Sequence, residues 1–284
     1  MKAFSTGSAT PSADLVRLGI VVPAATAEFM LAAGYALLGT GCREHALEDG
    51  RIRLEFWVPS ARADIAAAQL DGLAAHTPGA VCERADEDPG WQTAMRAFHQ
   101  PVDVDGHIRV RPPWHEPVDG PIDVVIDPAM AFGTGQHDTT RGCLELLLQV
   151  APGPVLDVGC GSGVLAIAAA KLGFGPVWAW DFDPLAVEAT IANAAANHVA
   201  LTVGERDALV APLPEVQVLL ANLTASVLTA LADVVAPRPP RWAVLSGLRP
   251  DELGPVCAAW LKTGMSATDR RLGTEWCSVL MMGP

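Results

Sequence analysis

Residues 155–163, Val-Leu-Asp-Val-Gly-Cys-Gly-Ser-Gly, constrain the rest of the chain most tightly. An apolar run ending in Asp157-Val158 meets Gly159, Gly161 and Gly163, and Val164 to Ala170 then opens a helical stretch. Strand, glycine turn and helix in this order let an open parallel sheet bring its main chain against a ligand. A Cβ in the turn would hold the ligand away. A second apolar run, Val177-Trp-Ala-Trp-Asp181, ends in an acid about 20 residues after the turn, where a carboxylate accepts from both hydroxyls of a ribose. Together the two runs point to a nucleoside cofactor.

What is missing narrows the choice. The dinucleotide fingerprint G-x-G-x-x-G has Val164 at its last glycine, which disfavours a hydride-transferring dehydrogenase. No G-x-x-x-x-G-K-[ST] loop cradles a triphosphate. G-x-G-x-G with Asp181 suits an adenosine with a short charged tail, and S-adenosylmethionine is the best candidate.

With 284 residues, half of them hydrophobic, the chain has room for one large or two ordinary domains with a sizeable core. A formal charge of -13 argues against direct nucleic-acid binding and is compatible with a basic protein partner. Cys42, Cys82, Cys143, Cys160, Cys257 and Cys277 lie far apart without a C-x-x-C, as buried thiols of a reducing compartment do; no metal site is expected. The stretch from Leu18 to Leu38 is broken by Pro23, Thr26 and Glu28, and no signal peptide or membrane span is expected. These features describe a soluble, cytoplasmic monomer.

Read in order, the first part predicts a strand over 15–22, a helix over 24–38, a hairpin of 43–47 and 51–58, a helix over 62–75 and a strand over 81–84. This βαββαβ order predicts a small α+β ferredoxin-like domain over residues 1–86, without a catalytic cluster and suited to substrate recognition. Residues 87–121, with a short helix over Trp91 to Phe98 and then Pro101, Pro112, Pro113, Pro117 and Pro121, read as a stiff extended linker. Alternating strands and helices over 122–284 predict an α/β fold, a doubly wound Rossmann-like sheet closed by an antiparallel pair at 265–271 and 275–282.

In such a sheet ligands lie beyond the carboxyl ends of the strands, where Gly159, Asp181 and Asn222 all fall. The Asn222 amide both donates and accepts, so it can orient a neutral amine, although capping of the next helix explains the residue as well. His137, in a threonine-rich stretch, reads as a hydrogen-bonder of its loop.

Ala131-Phe-Gly-Thr-Gly-Gln-His-Asp-Thr-Thr140, Leu156-Asp-Val-Gly-Cys-Gly-Ser-Gly-Val-Leu-Ala-Ile-Ala-Ala169, Asp181-Phe-Asp-Pro184, Ala221-Asn-Leu223, Leu245-Ser-Gly-Leu248 and Glu275-Trp-Cys277 resemble the ribosomal protein L11 methyltransferase family, the PrmA type. The resemblance is dense in the second half and reaches the linker through Trp91 and Pro112-Pro-Trp114, while the first eighty or so residues agree only in element order. It implies a class I methyltransferase sheet, S-adenosylmethionine held by Thr140, Gly159, Gly161, Asp181 and Asn222, and Asn222 at the reacting amine. It also implies methylation of lysine on a ribosomal protein docked by the first domain. Asn222-Leu223-Thr224 departs from the family's usual Asn-Ile-Leu, and Asp138 replaces a common proline. Alternatives are a lysine methyltransferase of another protein, such as an electron-transfer flavoprotein subunit, and a noncatalytic cofactor-binding module.

Overall fold

In the computed structural model, which describes residues 15–38, 42–47, 49–59, 62–85, 99–128 and 137–284, the chain divides into two compact units after Ala94. Apolar alternation builds the first unit. Strands β1 (Leu15–Pro23) and β3 (Arg51–Pro59) turn Leu18, Ile20, Val22, Leu54, Phe56 and Val58 to one face. Helices α1 (Ala27–Leu38) and α2 (Ala63–Ala75) cover that face with Met30, Leu38, Ala66 and Leu70. With β2 (Cys42–Ala46) and β4 (Val81–Ala85) the antiparallel sheet runs β2-β3-β1-β4. This is the expected ferredoxin-like order.

The second unit corrects one expectation. The stretch read as an extended linker holds β5 (Val102–Val104) and β6 (Ile108–Arg111), and β6 pairs in parallel with β7 (Ile122–Val125). Val104, Ile108 and Val110 are buried in the core of this unit, and Arg111 clasps Asp123 with Nε at 2.7 Å and Nη2 at 2.8 Å. The prolines flank these short strands and leave their pairing groups free. The helix expected over 91–98 lies outside the described residues.

The large sheet comprises β8 (Val155–Val158), β9 (Val177–Asp181), β10 (Thr202–Glu205), β11 (Val218–Asn222), β12 (Trp242–Leu248), β13 (Ser266–Leu272) and β14 (Cys277–Met282). Its order is β10-β9-β8-β11-β12-β14-β13, parallel through β12 and antiparallel at β14 and β13. Successive residues feed opposite faces. Val155, Val177, Leu220 and Val244 join α3 (Asp138–Leu147) and α4 (Val164–Lys171) in one core. Leu156, Trp180, Leu219 and Leu245 join α6 (Ala225–Val235) and α7 (Pro250–Leu261) in the other. The remaining helix, α5 (Pro184–Ala196), follows β9 and starts with Asp183 accepting from the Leu185 N–H. Strands added after β8 go first to one side (β9, β10) and then to the other (β11, β12). The order therefore reverses between β8 and β11, where such sheets form their ligand crevice.

Candidate functional site

Register assembles the site. Val158 lies opposite both Trp180 and Ala221, so the next residues, Asp181, Gly159 and Asn222, come level at the carboxyl edge, with Ser246 opposite Asn222. Three of the residues picked out from sequence thus share one row at the reversal point.

The glycine turn is tied to β9 by its main chain. Gly159 N–H and Cys160 N–H donate to Trp180 O at 2.8 and 3.1 Å, and Gly161 N–H donates to Asp181 Oδ2 at 2.9 Å. Asp181 Oδ1 accepts from Asp183 N–H at 3.0 Å, so each carboxylate oxygen keeps a lone-pair direction for a further donor. Gly159 has φ 69°, and a Cβ there would meet Leu223 Cδ2 at 2.4 Å. Leu223 follows Asn222, so the turn and the amide-bearing strand end interlock.

Asn222 does not cap the next helix. That helix has Thr224 at its N-cap, and Asn222 Nδ2 donates instead to Thr139 Oγ1 at 3.1 Å. Thr139 Oγ1 lies 2.7 Å from His137 Nδ1, which also accepts from the Thr139 N–H and so caps α3. Ser246 Oγ donates to Thr139 O at 3.1 Å and pairs with Ser278 Oγ at 2.7 Å, while Trp276 sets its ring edgewise against His137 at 5.0 Å. The Leu245-Ser-Gly-Leu248 and Glu275-Trp-Cys277 stretches therefore buttress Thr139. Helix α3 starts at Asp138 because His137 supplies the cap. Thr140 is buried in its first turn, and Thr139 rather than Thr140 is joined to Asn222. Residues 131–136 of the threonine-rich stretch lie outside the described residues.

Sequence reasoning passed over two features. Asp157, at the end of β8, is 1% exposed; Oδ2 accepts from Ala166 N–H at 3.1 Å, and Oδ1 has no partner among the described residues. Burial pushes its carboxyl up to about 7, against the opposing effect of the Ala166 bond. An acid beside a glycine turn was the available signal, but depth cannot be read from one residue type. Phe182, immediately after Asp181, is 77% exposed and offers a flat apolar face beside the carboxylate.

These residues fit S-adenosylmethionine. The turn keeps a main-chain surface free of side chains at Gly159 and Gly161, Asp181 retains acceptor capacity, and Asp157 Oδ1 is a buried polar atom still to be matched. No cluster of three metal-ligating side chains occurs among the described residues. The cysteines are unpaired thiols; burial pushes Cys143 up to about 12, far from a reactive thiolate.

Comparison with known proteins agrees with this architecture. Residues 52–283 match the pattern of the family described as ribosomal protein L11 methyltransferase (PrmA). A curated relative of that description from Citrifermentans bemidjiense is 35% identical over 254 residues, covering 85% of this chain and 80% of the relative. One from Bordetella parapertussis is 39% identical over 217 residues, covering 69% of this chain and 68% of the relative. The crystal structure of ribosomal protein L11 methylase from Lactobacillus delbrueckii subsp. bulgaricus superimposes with a TM-score of 0.61 at 25% identity, covering 65% of this chain and 99% of that one. The sheet reversal, the glycine turn and the buttressed amide are thus features of an S-adenosylmethionine-dependent methyltransferase, and the chain belongs to the ribosomal protein L11 methyltransferase (PrmA) family.

Proposed function

We propose that this enzyme methylates amine nitrogens, lysine side chains above all, of ribosomal protein L11, working as a monomer in the cytoplasm. The observation that carries the reading is the orientation of Asn222. Its Nδ2 is committed to Thr139, which leaves Oδ1 as the acceptor for an incoming N–H. Thr139 and Asn222 stand beside the turn, and Gly159, Gly161, Asp181 and Asn222, with Thr140 behind them, form the cofactor pocket. When bound, S-adenosylmethionine supplies an electrophilic methyl group.

The chain's own work is to position a neutral amine. A lysine with a pKa of ~10.4 is mostly protonated at neutral pH, and exposing its lone pair costs about 4–5 kcal/mol. The Ala221-Asn-Leu-Thr224 segment carries no His or Glu to act as a base. Water therefore takes the proton, and the Asn222 amide, which bears no charge, favours the neutral amine and aims its lone pair. A basic ribosomal protein suits a chain of net charge -13, with the first unit as its docking module.

The test is direct. Purified enzyme is incubated with methyl-labelled cofactor and cell lysate from a strain lacking the gene. Label is expected in L11, and Asn222→Ala should lower kcat at least about tenfold, the loss of one well-placed charge-free hydrogen bond in the transition state. Label confined to a different protein refutes the substrate assignment.

A further inference from the structure

His137 meets Thr139 through Nδ1, and the two contacts at that atom set a direction. The Thr139 main-chain N–H donates to Nδ1 at 3.4 Å. A main-chain N–H can only donate, so Nδ1 is the bare nitrogen of a neutral ring whose proton sits on Nε2. Thr139 Oγ1 lies 2.7 Å from the same bare nitrogen, so the hydroxyl gives its proton there. A hydroxyl has one proton and two lone pairs. With the proton committed to His137, Thr139 Oγ1 turns only lone pairs to Asn222. It receives the amide Nδ2 at 3.1 Å and has nothing to offer the amide oxygen. The bonds therefore run one way, from Asn222 Nδ2–H to Thr139 Oγ1–H to His137 Nδ1.

That direction decides which end of the amide faces the reacting amine. Turned round, Asn222 would present its NH2 group, which donates to the lone pair that must attack and cannot accept the amine N–H. The two ends of an amide have nearly the same shape, so packing discriminates between them poorly and hydrogen bonds must do it. Ser246 Oγ, on Thr139 O at 3.1 Å, and the Trp276 ring, edgewise to His137 at 5.0 Å, hold the relay in place. Neither touches the Thr139 hydroxyl proton, so the direction comes from His137.

We infer that His137 is a positioning residue that, through the Thr139 hydroxyl, fixes the Asn222 amide with its oxygen towards the amine. This role rests on the reaction proposed above. It is distinct from the capping of α3, which uses the Thr139 N–H and not its hydroxyl.

The experiment uses the full-length enzyme with S-adenosylmethionine and L11. His137→Ala and Thr139→Val should each lower kcat at least about fivefold, with the cofactor dissociation constant within about threefold of wild type. The variant carrying both changes should fall no further than the slower single one, because both cut the same chain. His137→Asn should recover most of the loss, since an asparagine Oδ1 can accept from both the Thr139 N–H and its hydroxyl and is a favoured N-cap. A residue that only capped the helix would leave kcat unmoved in Thr139→Val, which keeps the capped N–H. Nitrogen NMR of the His137 ring, recorded at mildly alkaline pH without L11, should find the proton on Nε2 and gives a reading even if His137→Ala fails to fold. A proton on Nδ1, additive losses in the double variant, no recovery in His137→Asn, or Thr139→Val within about twofold of wild-type kcat overturns the inference. Asn222→Ala is run alongside: a fall there with Thr139→Val unchanged removes the relay and leaves Asn222 in its role. A wild-type enzyme that leaves L11 unlabelled refutes the substrate assignment alone, and the variants are then read on the protein that carries the label.

Discussion

Leu223 is held between two glycines, and replacing each by alanine should have different consequences. Gly247, in β12, has φ 83°, and a Cβ there would lie 2.4 Å from Leu223 O, 3.0 Å from its carbonyl carbon and 3.1 Å from its nitrogen. All three are main-chain atoms. An alanine at this φ costs about 1–2 kcal/mol, and relieving the clash pushes Leu223 from β12, endangering the Leu223 N–H bond to Ser246 O at 3.0 Å. Losing that bond adds about 1 kcal/mol, so Gly247→Ala should destabilise by about 2–4 kcal/mol. For a unit of this size that lowers Tm by roughly 5–15 °C. Gly159→Ala carries the same backbone cost, but its close contact is Leu223 Cδ2, the far end of a side chain that can change rotamer for about 0.5–1.5 kcal/mol. It should destabilise less, while weakening cofactor binding at the turn. Thermal unfolding of both variants, with cofactor titration by calorimetry and kcat at saturating cofactor, checks the reasoning. A Gly247→Ala variant that melts within a degree of wild type, or above Gly159→Ala, would show that Leu223 yields freely and that the interlock around Asn222 is not rigid.

Asp181→Ala should weaken cofactor binding more than tenfold with the fold kept, since a charge-assisted hydrogen bond contributes roughly 1.5–3 kcal/mol; equal affinity in calorimetry would remove Asp181 from the pocket. Asp157 binds its proton up to about pH 7 in the folded enzyme but only to near 3.8 when unfolded. The stability it contributes is complete below 3.8 and is lost as pH rises to 7. Asp157→Asn should therefore gain on the wild type by something of the order of 3 kcal/mol between pH 5 and 8, and parallel urea-unfolding curves at the two pH values would contradict this. A chain beginning at Met95 should fold and bind cofactor yet lose activity on folded L11. One beginning at Pro121 should not fold, because it lacks β6, the Arg111 clasp on Asp123 and three buried core residues; a cooperative melt of the shorter chain would disprove the role given to β6.

Much of the candidate site's layout was legible because the residues that compose it sit at strand ends. The turn at Gly159, the acid at Asp181 and the amide at Asn222 each close an apolar run, and a doubly wound order brings such ends into one row. Local patterns cannot report on partners far away in sequence, and there the reading fell short. Val102–Val104 and Ile108–Arg111 are too short and too close to prolines to announce themselves as strands, and only pairing with residues 122–125 makes them so. Thr139 belongs to a helix despite a weak propensity because His137 caps it and Ser246 holds its carbonyl. Asn193 and Asn197 look like the solvent face of an alanine-rich helix, yet both are buried against main chain from about 70 residues earlier.

Strand β14 lies between β12 and β13 although it follows both in sequence, and this has a consequence for assembly. A growing or refolding chain that has reached Leu272 possesses β13 but has no described strand to lay it against, while β12 presents an open row of main-chain donors and acceptors. Such a row recruits strands from other molecules. Asp269, Arg270 and Arg271 place charge along β13 and blunt that strand as a template while it waits. β12 (Trp242–Leu248) carries no charged side chain, and its apolar Val244 and Leu245 stand opposite the Leu280 and Val279 that arrive last. The exposure of this fold to aggregation is thus a matter of timing, concentrated in the interval before the central strand of its carboxyl-terminal edge slots into place.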